Sequence, residues 1–260
     1  MTTTTQNRIE EIKKNGFALD FGNVFNHAFE NYKKIALYGG LIIFVFFVLF
    51  CIVAVGVLIS IFGGPAVVDF LKPENLKPEE FSLNTLLIFS GISVLIACLI
   101  SPLTAALINM AYCAERDEEF HVSSMFKFYK APFFKELFIV TFLINLTNAI
   151  LSGLVNYAQI PALEFIVSAT LSLFTILMIP LIIFGNLKAV DAIQSSVMIV
   201  SKQPLVLLGL LVVGGISSFV GFIGCCIGIF FTLPFMYSLY YAIYSEIIGF
   251  ETQSKSEERS

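Results

Sequence analysis

Charge is what this chain of 260 residues has least of: 13% of it is Asp, Glu, Lys or Arg, about half the roughly 25% usual in soluble domains. No Asp, Glu, Lys, Arg or His occurs in Ile35 to Val68, Phe81 to Ala114, Leu137 to Leu163, Phe165 to Leu187 or Gln203 to Ser245, runs of 34, 34, 27, 23 and 43 residues. A soluble fold is excluded, because these runs are apolar all round where amphipathic elements would need polar faces. A β-barrel is excluded too, since its alternation of polar and apolar residues is absent. Proton- or ion-coupled transport loses its usual relay, a carboxylate or base inside the membrane.

Other absences narrow the chemistry. No nucleophile motif, phosphate-binding glycine loop or zinc-protease motif occurs, so an enzyme is not the expected reading. The five cysteines form no metal or disulfide framework, and the adjacent Cys225 and Cys226 read as small packing residues. The two histidines leave His27, Glu30 and His121 as the most plausible metal set, and His27 and Glu30 lie one turn apart on what reads as a solvated face. No metal, cofactor or nucleic-acid partner is expected. Before Ile35 there is no apolar segment of signal-peptide type, so residues 1–16 read as a disordered tail.

What the chain does have is apolar length. Each run exceeds the roughly 20 residues that cross about 30 Å of hydrocarbon as a helix, and lipid obliges each span to satisfy its own backbone. The 43-residue run would be about 64 Å long as one helix, so it divides at Gly221, Gly224 and Gly228. Six spans follow, near 35–62, 86–112, 137–157, 165–185, 205–221 and 227–248, within one domain over 17–250 followed by a disordered tail over 251–260. Gly63, Gly64 and Pro65 end the first.

Six spans put 13 of the 15 basic residues on one side and only Lys72 and Lys77 on the other, which orients both termini towards the cytoplasm. Three segments on the basic side are amphipathic at helical spacing. They are Phe17, Phe21, Val24, Phe25, Ala28, Phe29 and Tyr32; Val122, Met125, Phe126, Tyr129 and Phe133; and Val190, Ile193, Val197 and Val200. They predict interfacial helices ahead of the odd-numbered spans. Pro102, Pro180 and Pro234, expected helix kinks, fall in the inner halves of the even-numbered spans. The fold expected is therefore all-α integral membrane, six transmembrane helices as three hairpins, each preceded by a cytoplasmic interfacial amphipathic helix.

Several strings carry a family resemblance. Ala192-Ile193-Gln194-Ser195-Ser196, Ile160-Pro161, and Gly221-Phe222-Ile223-Gly224-Cys225-Cys226-Ile227-Gly228 followed by Pro234 resemble an uncharacterised group of bacterial six-span membrane proteins. That group is related to the membrane domain of some glycerophosphoryl diester phosphodiesterases, and some stand-alone relatives are named beta-carotene monooxygenase. The resemblance covers roughly Phe25 to Ser245 and departs from the group at Ala162, where glycine is usual. It implies a fold and a place in the bacterial inner membrane, with no settled activity. Phosphodiesterase chemistry in such proteins belongs to a separate soluble domain, and two histidines are too few for the iron sites of carotenoid-cleaving enzymes.

Within the spans, Thr141, Asn145, Asn148, Ser152 and Asn156 share one helical face. They read as hydrogen-bonding glue between helices or, alternatively, as the lining of a path for a small polar solute. Ser90, Ser93, Ala97, Ser101 and Thr104 form a small-residue stripe suited to close packing. Glu164 and Glu246, at the ends of their spans, read as carboxylates in water, too far from the histidines to form a cluster. The expected role is a non-enzymatic membrane protein: a scaffold, an accessory subunit or a lipid-associated element. Its partners would be the lipid bilayer and other membrane proteins or further copies of the chain. A channel or uncoupled carrier stays open as the alternative, and an enzyme acting on lipid or isoprenoid as a third.

Overall fold

A computed structural model describes residues 3–70, 72, 83–223 and 227–250, and among these every regular element is helical. The turn holding Cys225 and Cys226 and the tail after Phe250 lie outside the described residues. Helix α1 (Thr3–Asn15) replaces the disordered tail expected at the start: it buries Ile12 completely, and Arg8 Nε donates to the Ile247 carbonyl at 3.0 Å. Helix α2 (Phe21–Phe62) begins at Asp20, whose side chain accepts from the Asn23 amide at 2.7 Å, and stops at Gly63 with φ +80°. Here the expected separate interfacial helix is corrected, because no glycine or proline lies between Asn23 and Tyr38 to interrupt the backbone ladder. The amphipathic stripe simply becomes the inner part of the first long helix. Its packed ridge is Val24, Ala28, Asn31 and Ile35, while Phe21 and Phe29 stay exposed.

Helix α3 (Gly64–Phe70) follows α2 directly after Gly63, and α4 (Leu83–Glu115) runs unbroken through Pro102. Proline removes the amide that would bond the Cys98 carbonyl, and Ser101 Oγ donates to that oxygen at 2.9 Å instead. The expected amphipathic helix before the third span is also corrected. It is a short helix α5 (Val122–Met125) and a 3₁₀ turn (Phe126–Tyr129), with a cis Ala131–Pro132 bond before α6 (Phe133–Tyr157). Met125 and the unforeseen Phe128 turn inward, whereas Val122, Phe126 and Tyr129 face out.

The fourth apolar run divides into α7 (Pro161–Phe174) and α8 (Met178–Ile183). Ser196 mends the gap from α9 (Ala189–Val200): its Oγ donates to the Phe174 carbonyl at 2.7 Å and accepts from the Leu177 amide at 3.2 Å. Helix α9 buries Ala189, Ala192, Ser196, Ile199 and Val200, a face rotated from the expected stripe so that Val190 and Val197 are exposed. Its first amide is capped by Glu136 Oε2 of α6 at 2.8 Å. The chain ends in α10 (Pro204–Phe219), a 3₁₀ turn to Ile223, α11 (Gly228–Thr232) and α12 (Pro234–Ile247).

Five segments are long and apolar enough to cross a membrane: Phe21–Ile61, Leu87–Glu115, Phe133–Val155, Ala162–Ile183 and Pro204–Phe222. The last apolar segment falls short because the helix breaks at Leu233, ahead of Pro234. Helix α2 packs on α11, α12 and α4, α4 on α6, and α6 on α7. Helix α11 meets the middle of α2: a Cβ on Gly40 would lie 3.0 Å from the Phe230 carbonyl oxygen, and the Phe230 ring sits 5.3 Å from Phe44 and 5.2 Å from Phe47. Residues 48–62 carry α2 about 22 Å further.

Candidate functional site

The polar face of α6 is spent largely on helix contacts. Thr141 is 8% exposed, Asn145 Nδ2 donates to the Thr141 carbonyl of its own helix at 2.8 Å, and Asn148 Oδ1 accepts from Ser168 Oγ of α7 at 3.1 Å. Ser152 is half-buried on the same face, and the side chain of Asn156 lies outside the described ones. Only Thr141 Oγ1 is a buried side-chain polar atom without a hydrogen-bond partner among the described residues. A groove of about 670 Å³ does run between α4 and α6, but Leu87, Gly91, Leu95, Leu146, Ile150 and Gly153 line it, and the asparagines do not. The small-residue stripe of α4 contributes Ser90 to that groove and turns Ser101 into the bundle, while Thr104 meets the Tyr237 hydroxyl.

The three prolines end up in different settings. Pro102 sits inside a continuous helix, Pro180 follows the break at 175–177, and Pro234 opens α12 with Gly39 of α2 against its ring. Each lies near a hydroxyl that binds a carbonyl of the disturbed turn: Ser101 at Cys98, Ser196 at Phe174, and Tyr32 at Phe231 at 3.1 Å. Polar side chains therefore repair the breaks rather than open them to a ligand.

The cluster that the sequence reading missed lies at the charged end of the bundle. His27 of α2 stands between two carboxylates, with Nε2 2.7 Å from Glu115 Oε2 of α4 and Nδ1 3.0 Å from Glu246 Oε1 of α12. Asn31 Nδ2 donates to the same Glu115 oxygen at 3.3 Å, and the buried Tyr241 hydroxyl also bonds Glu115. The judgement that Glu246 lies too far from the histidines is corrected for His27: α2 and α12 cross in the bundle and join residues 219 positions apart.

Around this clasp Tyr112, Phe184, Tyr241, Tyr244 and Phe250 pack ring on ring, and the Arg116 guanidinium lies 4.5 Å from the Tyr112 ring centre. The ring nitrogens face opposite carboxylates, so the three groups do not converge on one point. No group of three or more His, Cys, Asp or Glu suited to a metal occurs among the described residues. Glu30 pairs with Lys33, and His121 lies 3.5 Å from Glu119, so the metal set considered from sequence is not assembled. Glu164 sits in the first turn of α7, on an element outside the clasp. No signal in the sequence announced the clasp, because its three members come from three separate helices. Compared with known proteins, the chain matches no family model, no curated protein and no solved structure.

Proposed function

We propose that this chain is a non-enzymatic, multi-pass protein of a bacterial inner membrane that crosses it six times, with both termini cytoplasmic, and acts as a scaffold, accessory or lipid-associated element. Counting the α11–α12 segment as a crossing keeps 13 of the 15 basic residues on one side, which supports this topology. The resemblance to the bacterial six-span group points the same way.

The observation that carries the reading is where the membrane-embedded polar groups go. Asn145 donates to the Thr141 carbonyl of its own helix, Asn148 accepts from Ser168, Thr232 Oγ1 donates to the Ser218 carbonyl, and Ser238 Oγ donates to the Ala28 carbonyl at 2.7 Å. The last three join helices, and groups engaged in these ways are not free to coordinate a solute. The clasp fits the same role, joining three helices at the inner end with no nucleophile among its members.

Single cysteines at Asn145, Asn148 and Asn156, in a background without the native five, test the reading against a conducting path. Protection of all three from a membrane-impermeant thiol reagent in intact membranes is the expected result. Labelling at successive positions would replace it with a channel or carrier.

A further inference from the structure

The elbow between α4 and α6 exposes an unusual combination of side chains. Val122, Phe126 and Tyr129 are 43%, 50% and 38% exposed although all are large and apolar or aromatic. Their rings continue into α6 as a ladder: Phe126 to Tyr129 at 6.2 Å, Tyr129 to Phe134 at 6.3 Å, and Phe134 to Phe138 at 5.9 Å. The Tyr129 hydroxyl donates to the Leu99 carbonyl at 3.1 Å, which fixes the elbow beside exposed apolar residues of α4, Leu95, Leu99 and Ile100. A ladder of this kind suits the boundary between hydrocarbon and headgroups, where aromatic rings settle.

Three exposed lysines lie on the same stretch, residues 122–135: Lys127, Lys130 and Lys135. None has a carboxylate within ion-pair distance among the described residues, and the Lys127 ammonium rests 5.7 Å from the Phe133 ring centre. At this end Arg8 pairs with Glu11, Lys33 with Glu30 and Lys34 with Asp117, whereas Arg116 rests on the Tyr112 ring and Lys202 donates to the Lys13 carbonyl. Among nearby acids Glu136 accepts from the Ala189 amide, Asp117 pairs with Lys34 and Glu119 lies against His121, while Glu118 shares the surroundings of the Cys113 thiol with Lys127 but stays outside ion-pair distance of it. The elbow thus sets three lysines without ion-pair partners beside the ring ladder.

We infer that the elbow formed by residues 122–135 is a docking surface for anionic phospholipid headgroups, with Phe126 and Tyr129 set among the upper acyl chains and Lys127, Lys130 and Lys135 on the phosphates. The inference rests on the proposed placement of this end at the cytoplasmic face, and it gives the lipid-associated role a lipid class. Basic side chains beside a membrane surface are attracted to anionic lipid by roughly fivefold each, and the attraction is screened by salt.

The test is boundary-lipid selectivity of the purified protein in phosphatidylcholine vesicles carrying spin-labelled phosphatidylglycerol or spin-labelled phosphatidylcholine. The native chain should immobilise phosphatidylglycerol several-fold in preference, and the preference should fade as salt rises. The K127Q/K130Q/K135Q variant should lose it, whereas K33Q/K72Q, which removes two ion-paired lysines, should keep it. No preference in the native chain, a preference indifferent to salt, one that survives the triple change, or one equally lost in K33Q/K72Q would overturn the inference. A chain that stays embedded and cysteine-protected yet shows no lipid preference would sink this inference alone and leave the proposed function standing.

Discussion

Around His27, α2 meets α4 and α12 through buried side chains, two carboxylates and stacked rings, whereas beyond Phe47 the same helix has few neighbours among the described residues. Val24, Ala28 and Ile35 are at most 3% exposed, but Ile52, Val53 and Ile61 are 63%, 63% and 67% exposed. Both stretches are helical, and α2 passes through Gly56 without a break, so the contrast does not come from the backbone. It comes from the partner: α11 and α12 accompany the inner part of α2, where Phe230 and Phe231 lie beside Gly40 to Phe47. One half of the helix is held by the protein's own packing, the other by lipid, which is as apolar as its side chains and gives them no reason to seek one another.

If that division holds, substitutions at the seam and in the inner half should cost stability that outer ones do not. Gly40→Leu carries the largest expected effect, about 3 kcal/mol or more, because any side chain there must displace the backbone of α11. Reversible unfolding in mixed micelles measures it. Ser196→Ala should cost about 2 kcal/mol in the same assay, since the Phe174 carbonyl and the Leu177 amide lose their shared partner inside the bundle. His27→Ala should cost about 1 kcal/mol, a modest figure because Glu115 and Glu246 are partly exposed. Glu246→Gln should cost less than His27→Ala, as the amide oxygen still accepts from the ring. Ile52→Ala should change stability by under about 0.5 kcal/mol, because lipid fills the vacated space. A large loss at Ile52 would mean that the outer half packs against another protein segment and would end the comparison.

The apolar runs were legible because lipid admits so few solutions: the end of α2 at Gly63 and the turn near Gly221 both lie where glycine and proline mark them. The continuity of α2 was legible too, in the lack of a breaker between Asn23 and Tyr38, though amphipathic spacing alone suggested a separate helix. What composition and spacing did not carry was partnership across distance. Glu246 beside His27, and Ser196 across the 174–177 break, depend on how helices cross, and a sequence period records only which residues share one helix. Phe128 shows the same limit on a small scale: a 3₁₀ turn rotates side chains by a different step from an α-helix, so the buried ring was not the one that helical spacing selects.

The uninterrupted course of α2 bears on which bilayer suits this protein. Its charge-free part, Ile35 to Phe62, is about 42 Å long, against about 30 Å of hydrocarbon in an average membrane. The helix is unbroken over this length, so the surplus is absorbed by leaning of the rod or by stretching of the lipid around it. Thick bilayers reduce both distortions, and bilayer thickness thereby becomes a sorting signal written in the length of a single helix.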